Sequence, residues 1–438
     1  MEIGGKIEVL IKILNIGFTY LCPRYFKKID SILKKVLYVS YDGMTDPLGQ
    51  GQVINYLIGL SKKGFCFDIL SSEKDDHFEK EGKYIQQLLT DNNINWFPLK
   101  FHTKPPLVSK LLDKYLLLKK AKELYKQNNY AFIHCRSYLG AEIGLKLKKG
   151  FGVKYLFDMR GFWPDEKIDA KHWDQSKLFW RIVYKKYKKI EKELLINADV
   201  VISLTYAAKK EIETKSLLSG NKLVNVIPCC TDTDKYYFIS DQKRQAAKQL
   251  LNINKDAYVV GYLGSMSVLY MIPELVKIFA IIKKLKSTAM LLVISKSDPE
   301  LILKELDKNE LNKNDVMIKA VSFKDVPDNL AAFDMSISLK SMTYGNIGTS
   351  PVKLGECLCS GIPVISSDGV GDVTQITERL NAGYIIKGYS RNDFEEFSKA
   401  FDMVEKIDRK ELSEKAIEFY ILCKGVSDYE EVYKKLIG

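Results

Sequence analysis

The chain has 438 residues, of which 46% are apolar and 28% are charged. These proportions indicate a folded protein of two or three domains, each able to bury its own core, and they exclude a disordered chain. The net charge is +12, and the whole excess lies in residues 1–200, which hold 35 basic and 23 acidic residues, against 32 of each in the remainder.

Residues 1–33 form an extension before the regular pattern begins. Residues 7–22 are apolar but contain Glu8 and Lys12, so they are too short and interrupted for a membrane span. Three interpretations stay open: an amphipathic anchor, a poorly ordered extension, or an upstream start of the reading frame.

From residue 34 onward, strand and helix patterns alternate. A strand at 36–40, a glycine-rich loop at 42–51, a helix at 52–62 and a strand at 65–71 make a βαβ opening. Two sets of further apolar strands follow, the first at 131–134, 155–159 and 200–204, closed by 225–228, and the second at 258–263, 290–294, 316–318, 335–339 and 363–366. We therefore expect an α/β fold of two Rossmann-like, doubly wound domains that face a central cleft.

The lysines between these strands are spaced along the predicted helices, as in residues 185–189. Such faces are either simply solvated or attracted to an anionic membrane surface or a phosphate-bearing acceptor. We find no helix-turn-helix, zinc-finger or RNA-recognition pattern, so we expect no nucleic-acid partner.

The eight cysteines follow no secretory signal and no framework spacing, which favours a cytoplasmic location. The four histidines are far apart in sequence, so no metal site is predicted.

Residues 344–368 are the most informative stretch. Gly345 and Gly348 let the backbone turn tightly and let a ligand approach it closely. Ser350 suits an N-cap and Pro351 the first helical position, so a helix is expected to begin here and its free N–H groups to attract an anion.

The helix that follows carries two charges. Lys353 lies in the first turn, where its ammonium could reach a bound phosphate, and Glu356 lies among residues that look buried, where a carboxylate needs hydroxyl donors such as those of a ribose. Gly361 is expected to end the helix before an apolar strand. An ordinary, well-capped αβ crossover explains the same residues without a ligand.

The segment SPVKLGECLCSGIPVIS resembles the donor-binding segment of the family 4 (group 1) retaining glycosyltransferases, which have the GT-B fold. In that family two glutamates with seven residues between them span the sugar and ribose sites. Glu356 matches the second glutamate, and Gly348 stands where the first would be. The resemblance implies that Glu356 holds the ribose hydroxyls, and that the usual contact with the sugar ring is missing.

The resemblance also implies the domain limits. Residues 226–238 look like the linker between the family's two domains, and residues 429–436 look like its terminal helix. The expected units are an extension at 1–33, an acceptor domain at 34–228, a donor domain at 229–420 and a helix at 421–438 that crosses back to the first domain.

Two positions depart from the family pattern after the strand at 258–263. An arginine usually follows the second glycine, and a lysine lies five residues further on, but here they are Ser265 and Tyr270. Either other cations bind the diphosphate, from among Lys340, Lys353, Arg136 and Arg160, or the leaving group differs.

Two strand ends in the first half supply candidate side chains. His134 and Arg136 point to one side by the two-residue strand period. After the next strand, an alignment on Trp163 puts Arg160 where family members often have a histidine beside the reacting sugar. Arg160 could then stabilise diphosphate charge and Asp158 could orient an acceptor hydroxyl. Structural ion pairs explain these residues equally simply.

The residues at 49–52, Gly-Gln-Gly-Gln, resemble the family's glycine-rich loop over the donor phosphates, although a plain strand-to-helix turn fits as well. The predicted catalytic residues are Arg160, Asp158 and His134. The predicted donor-binding residues are Gly49, Gly51, Arg136, Gly264, Ser265, Gly348, Thr349, Ser350, Pro351, Lys353 and Glu356.

The resemblance implies a retaining glycosyltransferase that needs no metal or other cofactor. Its expected partners are a nucleotide-sugar donor and a glycan or lipid-linked acceptor in cell-envelope polysaccharide synthesis, at the inner face of an anionic membrane. Two other functions stay open: a GT-B-fold epimerase or phosphorylase, and a non-catalytic module that binds anionic ligands.

Overall fold

The computed structural model describes residues 34–105, 108–215 and 224–438. The described chain forms two all-parallel sheets with helices on both faces, so the predicted pair of doubly wound α/β domains is confirmed. The extension at 1–33, with its proposed amphipathic anchor, lies outside the described residues.

The first sheet has seven strands in the order β3-β2-β1-β4-β5-β6-β7, and the order reverses direction beside β1. Its strands are β1 (Lys34–Val39), β2 (Phe65–Glu73), β3 (Ile94–Lys100), β4 (Phe132–Arg136), β5 (Tyr155–Met159), β6 (Val200–Ser203) and β7 (Val224–Val226). Its helices are α1 (Pro47–Gly49, continuing through the π-helical Gln50–Ile54 to Asn55–Ser61), α2 (Asp75–Asp91), α3 (Val108–Gln127), α4 (Ser137–Phe151), α5 (Trp163–Asp169), α6 (Leu178–Asn197) and α7 (Tyr206–Thr214).

The second sheet has six strands in the order β10-β9-β8-β11-β12-β13. Its strands are β8 (Tyr258–Leu263), β9 (Ala289–Ile294), β10 (Val316–Lys319), β11 (Met335–Ser338), β12 (Val364–Ser367) and β13 (Gly383–Ile386). Its helices are α8 (Asp241–Leu250), α9 (Ile272–Leu285), α10 (Glu300–Lys308), α11 (Val326–Leu330), α12 (Val352–Cys359), α13 (Val373–Leu380), α14 (Arg391–Glu405) and α15 (Arg409–Tyr420), and a last helix, α16 (Leu422–Ile437), follows them.

Two strands were not predicted, and both lie at sheet edges. β3 contains Pro98, which has no N–H to donate and is tolerated because β3 pairs only with β2. β13 has four residues and begins at Gly383, whose φ of 151° and close approach to Val364 leave no room for a side chain. An edge strand broken by proline, like β3, and a four-residue strand that begins at glycine, like β13, carry too little apolar pattern to be recognised.

The predicted glycine-rich loop at 42–51 is wrong beyond residue 46. The chain is helical from Pro47, because proline at the first helical position has the required φ and loses no hydrogen bond. Gly49 lies within this helix and packs so closely on Gly43 and Met44 that a Cβ would overlap their backbone.

The last helix, α16, packs against the first domain. Val426, Tyr429 and Tyr433 belong to the same apolar core as Val36 of β1, and a Cβ on Gly59 of α1 would lie 2.5 Å from Val426. Helix α16 therefore ties the end of the second domain to the first.

Among the described residues, no helix is long and apolar enough to cross a membrane.

Candidate active site

Helix α12 begins at Val352 at the carboxyl edge of the second sheet, with Pro351 as its N-cap residue. The predicted N-cap role of Ser350 is wrong, because its Oγ accepts a hydrogen bond of 3.2 Å from the backbone N–H of Cys229 in the interdomain linker. The helix ends as expected: Gly361 has a φ of 71°, and Ile362 N–H bonds back to Cys357 O.

Lys353 extends from the first turn of α12 past Gly264, the residue after β8. Its methylene carbons lie 3.6 Å from the position of a Cβ on Gly264, whose φ of 155° favours glycine. Within the described chain, the ammonium of this exposed lysine has no hydrogen bond or ion pair. The helix N-terminus, Gly264 and Lys353 thus form one open, positively polarised corner, next to the predicted residue Ser265.

Glu356 lies one turn further along α12 and is 7% exposed. Burial raises the pKa of its carboxyl group, while the charge of Lys353 and a hydrogen bond from the Tyr236 hydroxyl oppose that rise. A buried carboxylate with one neutral donor has unused acceptor capacity for further hydroxyl groups.

Gly348 lies at the contact between the domains, in a short 3-10 helix (Tyr344–Gly348) that packs on α5. A Cβ on Gly348 would lie 2.8 Å from Gly161 Cα and 3.2 Å from Phe162 N. The next residue, Thr349, accepts a 2.9 Å hydrogen bond at Oγ1 from Lys340 Nζ. No side chain fits at position 348 in this arrangement.

Glu166 of α5 also lies at this contact between the domains, and it is not among the site residues predicted from the sequence. A Cβ on Gly161 would overlap Glu166 Oε1 and lie 3.6 Å from Gly348 O. Burial raises the pKa of the Glu166 carboxyl group and lowers that of the Lys340 ammonium, and each group's charge opposes the shift of the other. The only signal in the sequence was the density of charged and aromatic residues at 157–166.

The structure brings His134, Arg136, Asp158 and Arg160 together at the ends of β4 and β5. Asp158 lies 3.4 Å from Arg160, 3.5 Å from His134 and 3.9 Å from Arg136. Burial acts to raise the pKa of Asp158, but these cationic and hydrogen-bonding neighbours hold it well below its ordinary value. Asp158 is therefore the anionic centre of a buried network.

The members of this network differ in exposure. The side chain of Arg160 is 15% exposed and that of Asp158 only 1%, and Arg160 also donates a 3.3 Å hydrogen bond to Cys229 Sγ. His134 is buried, contacts Tyr433 of α16 through Nδ1 at 2.6 Å, and has a pKa lowered by burial. Arg160 is thus the member best placed to touch a ligand, with Asp158 and His134 behind it.

Two further predicted donor-binding residues, Arg136 and Gly51, belong to the first domain. Arg136 bonds to Asp42 through Nε at 3.1 Å, and its Nη1 is buried without a hydrogen bond. A Cβ on Gly51 would lie 3.7 Å from Phe323 of the second domain, so Gly51 faces across the cleft.

No group of three or more His, Cys, Asp or Glu side chains in the described ranges could hold a metal ion.

Two family models match the chain. The model of the group 1 glycosyl transferases matches residues 243–419, and that of glycosyltransferase family 4 matches residues 49–235. The chain belongs to the group 1, family 4 glycosyltransferases. No curated protein matches the sequence.

Solved glycosyltransferase structures share the fold. Sucrose-phosphate synthase from Thermosynechococcus elongatus has a TM-score of 0.71 at 16% identity, over 92% of this chain and 99% of that one. HepE of Anabaena, solved with UDP and glucose, has a TM-score of 0.65 at 14% identity, over 92% and 100%. WaaG, a glycosyltransferase of lipopolysaccharide biosynthesis, has a TM-score of 0.58 at 13% identity, over 91% and 99%. The GT-B fold predicted from the resemblance is therefore confirmed.

Proposed function

We propose that this glycosyltransferase moves a sugar from a nucleotide-sugar donor to a glycan or lipid-linked acceptor of cell-envelope polysaccharide synthesis, with retention of anomeric configuration. The donor proposal rests on two residues in the first turns of α12: Lys353, whose ammonium has no hydrogen bond or ion pair in the described part of the chain, and the buried Glu356. The UDP and glucose held by Anabaena HepE, which has the same fold, support a donor of this class.

In this proposal the diphosphate, the ribose and the sugar of the donor each bind to different groups. The diphosphate lies at the α12 N-terminus, where backbone N–H groups and the Lys353 ammonium neutralise it. The ribose hydroxyls donate to Glu356. The sugar then extends toward Gly348, where Glu166 and Lys340 come from the two domains and the charge of each opposes the pKa shift of the other.

Breaking the bond between the sugar and the diphosphate builds negative charge on the phosphate oxygen that leaves. Cations fixed in a water-poor cleft stabilise that charge, and one well-placed donor typically contributes about 3 kcal/mol to lowering the barrier. We assign this role to Lys353 and Arg160, because Ser265 and Tyr270 cannot provide a cation. We propose that no metal ion takes part.

The absence of a cation at Ser265 and Tyr270 also favours a second candidate, a GT-B-fold epimerase or phosphorylase, whose product would be a free sugar or sugar phosphate. A non-catalytic module that binds anionic ligands is the third.

Incubation of the purified protein with a panel of labelled nucleotide sugars and a membrane lipid extract tests these functions together. Label in lipid or glycan supports transfer. Free or isomerised sugar supports the second candidate. Absence of both, with nucleotide binding retained, supports a non-catalytic module. A Lys353→Gln variant should lose affinity for a nucleoside diphosphate but not for the nucleoside, and equal losses for both ligands would contradict the diphosphate assignment.

A further inference from the structure

Helix α3 carries a stripe of apolar side chains that faces outward. Val108, Leu111, Leu112 and Tyr115 are 59%, 69%, 42% and 61% exposed. Their spacing of three, four and seven residues places them on one side of the helix. Apolar residues in this spacing normally face a core, so an exposed stripe indicates a binding surface.

Helix α6 repeats the arrangement. Leu178, Phe179 and Ile182 are 67%, 52% and 58% exposed. The buried residues of α6 are Glu191, Leu194 and Leu195, all in its second half. The first half of α6 therefore presents apolar side chains to the outside without contributing a fully buried residue to the core.

The two helices lie on the same side of the first sheet, with α4 between them. Lys114 of α3 pairs with Glu142 of α4, and Lys149 of α4 pairs with Glu193 of α6 at 2.6 Å. Both helices start after the carboxyl ends of their preceding strands, β3 and β5, so their apolar first turns lie at the cleft end of the domain.

Basic residues follow the apolar turns on both helices. Helix α3 has six lysines and two acidic residues, and α6 has five lysines, one arginine and two acidic residues. One acidic residue of each helix is buried, and the others, Glu123 and Glu193, are paired with lysines. On the exposed sides, Lys119 and Lys122 follow Tyr115, and Lys185, Lys186 and Lys189 follow Ile182.

We propose that these two helix sides, which we call the α3–α6 face, dock on an anionic phospholipid bilayer. The face consists of the seven exposed apolar residues named above and the lysines that follow them. The apolar side chains enter the interface between headgroups and acyl chains, and the lysines contact the anionic headgroups. The proposal rests on the proposed function for its purpose, because docking here brings the cleft to a lipid-linked acceptor.

Charge favours a bilayer over the other occupants. A second copy of the chain would bring two lysine-rich surfaces together, which is unfavourable. Nucleic acid would use the lysines but leave the aliphatic side chains exposed to water. An anionic bilayer satisfies both parts of the face at once.

Sedimentation with vesicles tests the proposal. Vesicles of phosphatidylcholine and phosphatidylglycerol should bind the full-length protein, binding should weaken as salt rises, and vesicles of phosphatidylcholine alone should bind it far less. Lys185→Gln with Lys186→Gln should weaken binding by about tenfold, and Leu111→Ser with Ile182→Ser should weaken it by a similar factor.

Matched variants in the second domain provide the control. Lys304→Gln with Lys399→Gln, and Leu250→Ser with Val268→Ser, remove exposed residues of the same types and should leave vesicle binding unchanged. The control also accounts for binding by residues 1–33, which every variant retains.

Nucleotide binding in solution should be the same in all these variants, which separates failure of the docking proposal from failure of the proposed function. Equal binding of face and control variants overturns the proposal. So does equal binding to neutral and anionic vesicles. Loss of a dimer in the face variants, measured by sedimentation velocity without lipid, would assign the face to a second copy instead.

Discussion

Gly348 and Gly161 meet where the two domains touch, and a Cβ on Gly348 would lie 2.8 Å from Gly161 Cα. In the family that the donor segment resembles, a glutamate stands at the position of Gly348. Here the backbone of the other domain occupies the space that its side chain would need. The domains therefore approach each other at this point more closely than a glutamate at 348 would allow.

We expect Gly348→Ala to hold the domains apart. The added methyl group meets backbone atoms of Gly161 and Phe162, which cannot rotate away as a side chain could. Transfer should fall by about tenfold or more, since small displacements of the reacting groups are costly. Small-angle X-ray scattering should show a larger radius of gyration.

Gly150→Ala is the matched control, because a Cβ on Gly150 has no atom within 4 Å. It should retain activity and compactness. If Gly348→Ala also retained both, the close contact would have no role in catalysis.

Glu166 and Lys340 should act together on the sugar. They lie on different domains, and each changes the pKa of the other. We expect Glu166→Gln to lower kcat by about tenfold to a hundredfold and to leave the affinity for nucleoside diphosphate nearly unchanged, because in the proposed function the group faces the sugar end of the donor.

A double-mutant cycle with Lys340→Gln measures the coupling. Each substitution should lower kcat more in the native protein than in the protein that already carries the other substitution. Additive effects would show that the two residues act separately, and a loss confined to nucleotide affinity would place Glu166 at the wrong end of the donor.

Most of the fold could be predicted because parallel strands buried on both faces are nearly continuous apolar runs. β5 (Tyr155–Met159) and β8 (Tyr258–Leu263) have the predicted limits. The edge strand β3 escaped prediction because its apolar run is broken by Pro98 and is bounded by the polar Asn95 and Lys100.

The site was harder to predict because its contacts join distant parts of the chain. Serine is a residue type that favours the N-cap position, but the hydroxyl of Ser350 accepts a hydrogen bond from the backbone of Cys229, 121 residues earlier. Glu166 becomes part of the site only because Gly348 and Lys340 approach it from the other domain. Local sequence rules contain no information about such partners, whereas Asp158 and Arg160 were found because they adjoin one strand end.

Glu356→Ala should weaken nucleotide binding while leaving the fold intact. Hydrogen bonds to a charged group contribute about 1.5–3 kcal/mol, so the dissociation constant should rise by about tenfold or more. Titration calorimetry measures the affinity and circular dichroism checks the fold. Unchanged affinity would contradict the ribose assignment.

The same residue predicts a pH dependence. Burial raises the pKa of Glu356 above its ordinary value of 4.5, so the carboxylate to which we assign the ribose hydroxyls is lost at a higher pH than usual. Nucleotide affinity should fall as pH falls through the raised pKa. Tyr236→Phe removes the hydrogen bond that opposes the rise in this pKa, so the variant should lose nucleotide affinity at a higher pH. An identical pH profile of nucleotide affinity in the native protein and the variant would refute the assignment.

Asp158→Asn should destabilise the protein by about 3–5 kcal/mol near neutral pH, because it leaves the buried Arg136 and the largely buried Arg160 without their shared anion. The exposed pair Arg391 and Glu395 is the control, and Glu395→Gln should cost under about 1 kcal/mol. Urea unfolding measures both changes.

The sign of the pH effect follows from the lowered pKa of Asp158. A carboxyl group whose folded pKa is depressed contributes stability that is fully present above its unfolded value, ordinarily 3.8, and is lost as pH falls through the folded pKa. The difference in stability between the native protein and Asp158→Asn should therefore be constant near neutral pH and shrink on acidification below that value. A difference that stayed constant down to the acid limit of folding would show that the neighbouring arginines do not hold Asp158 ionised.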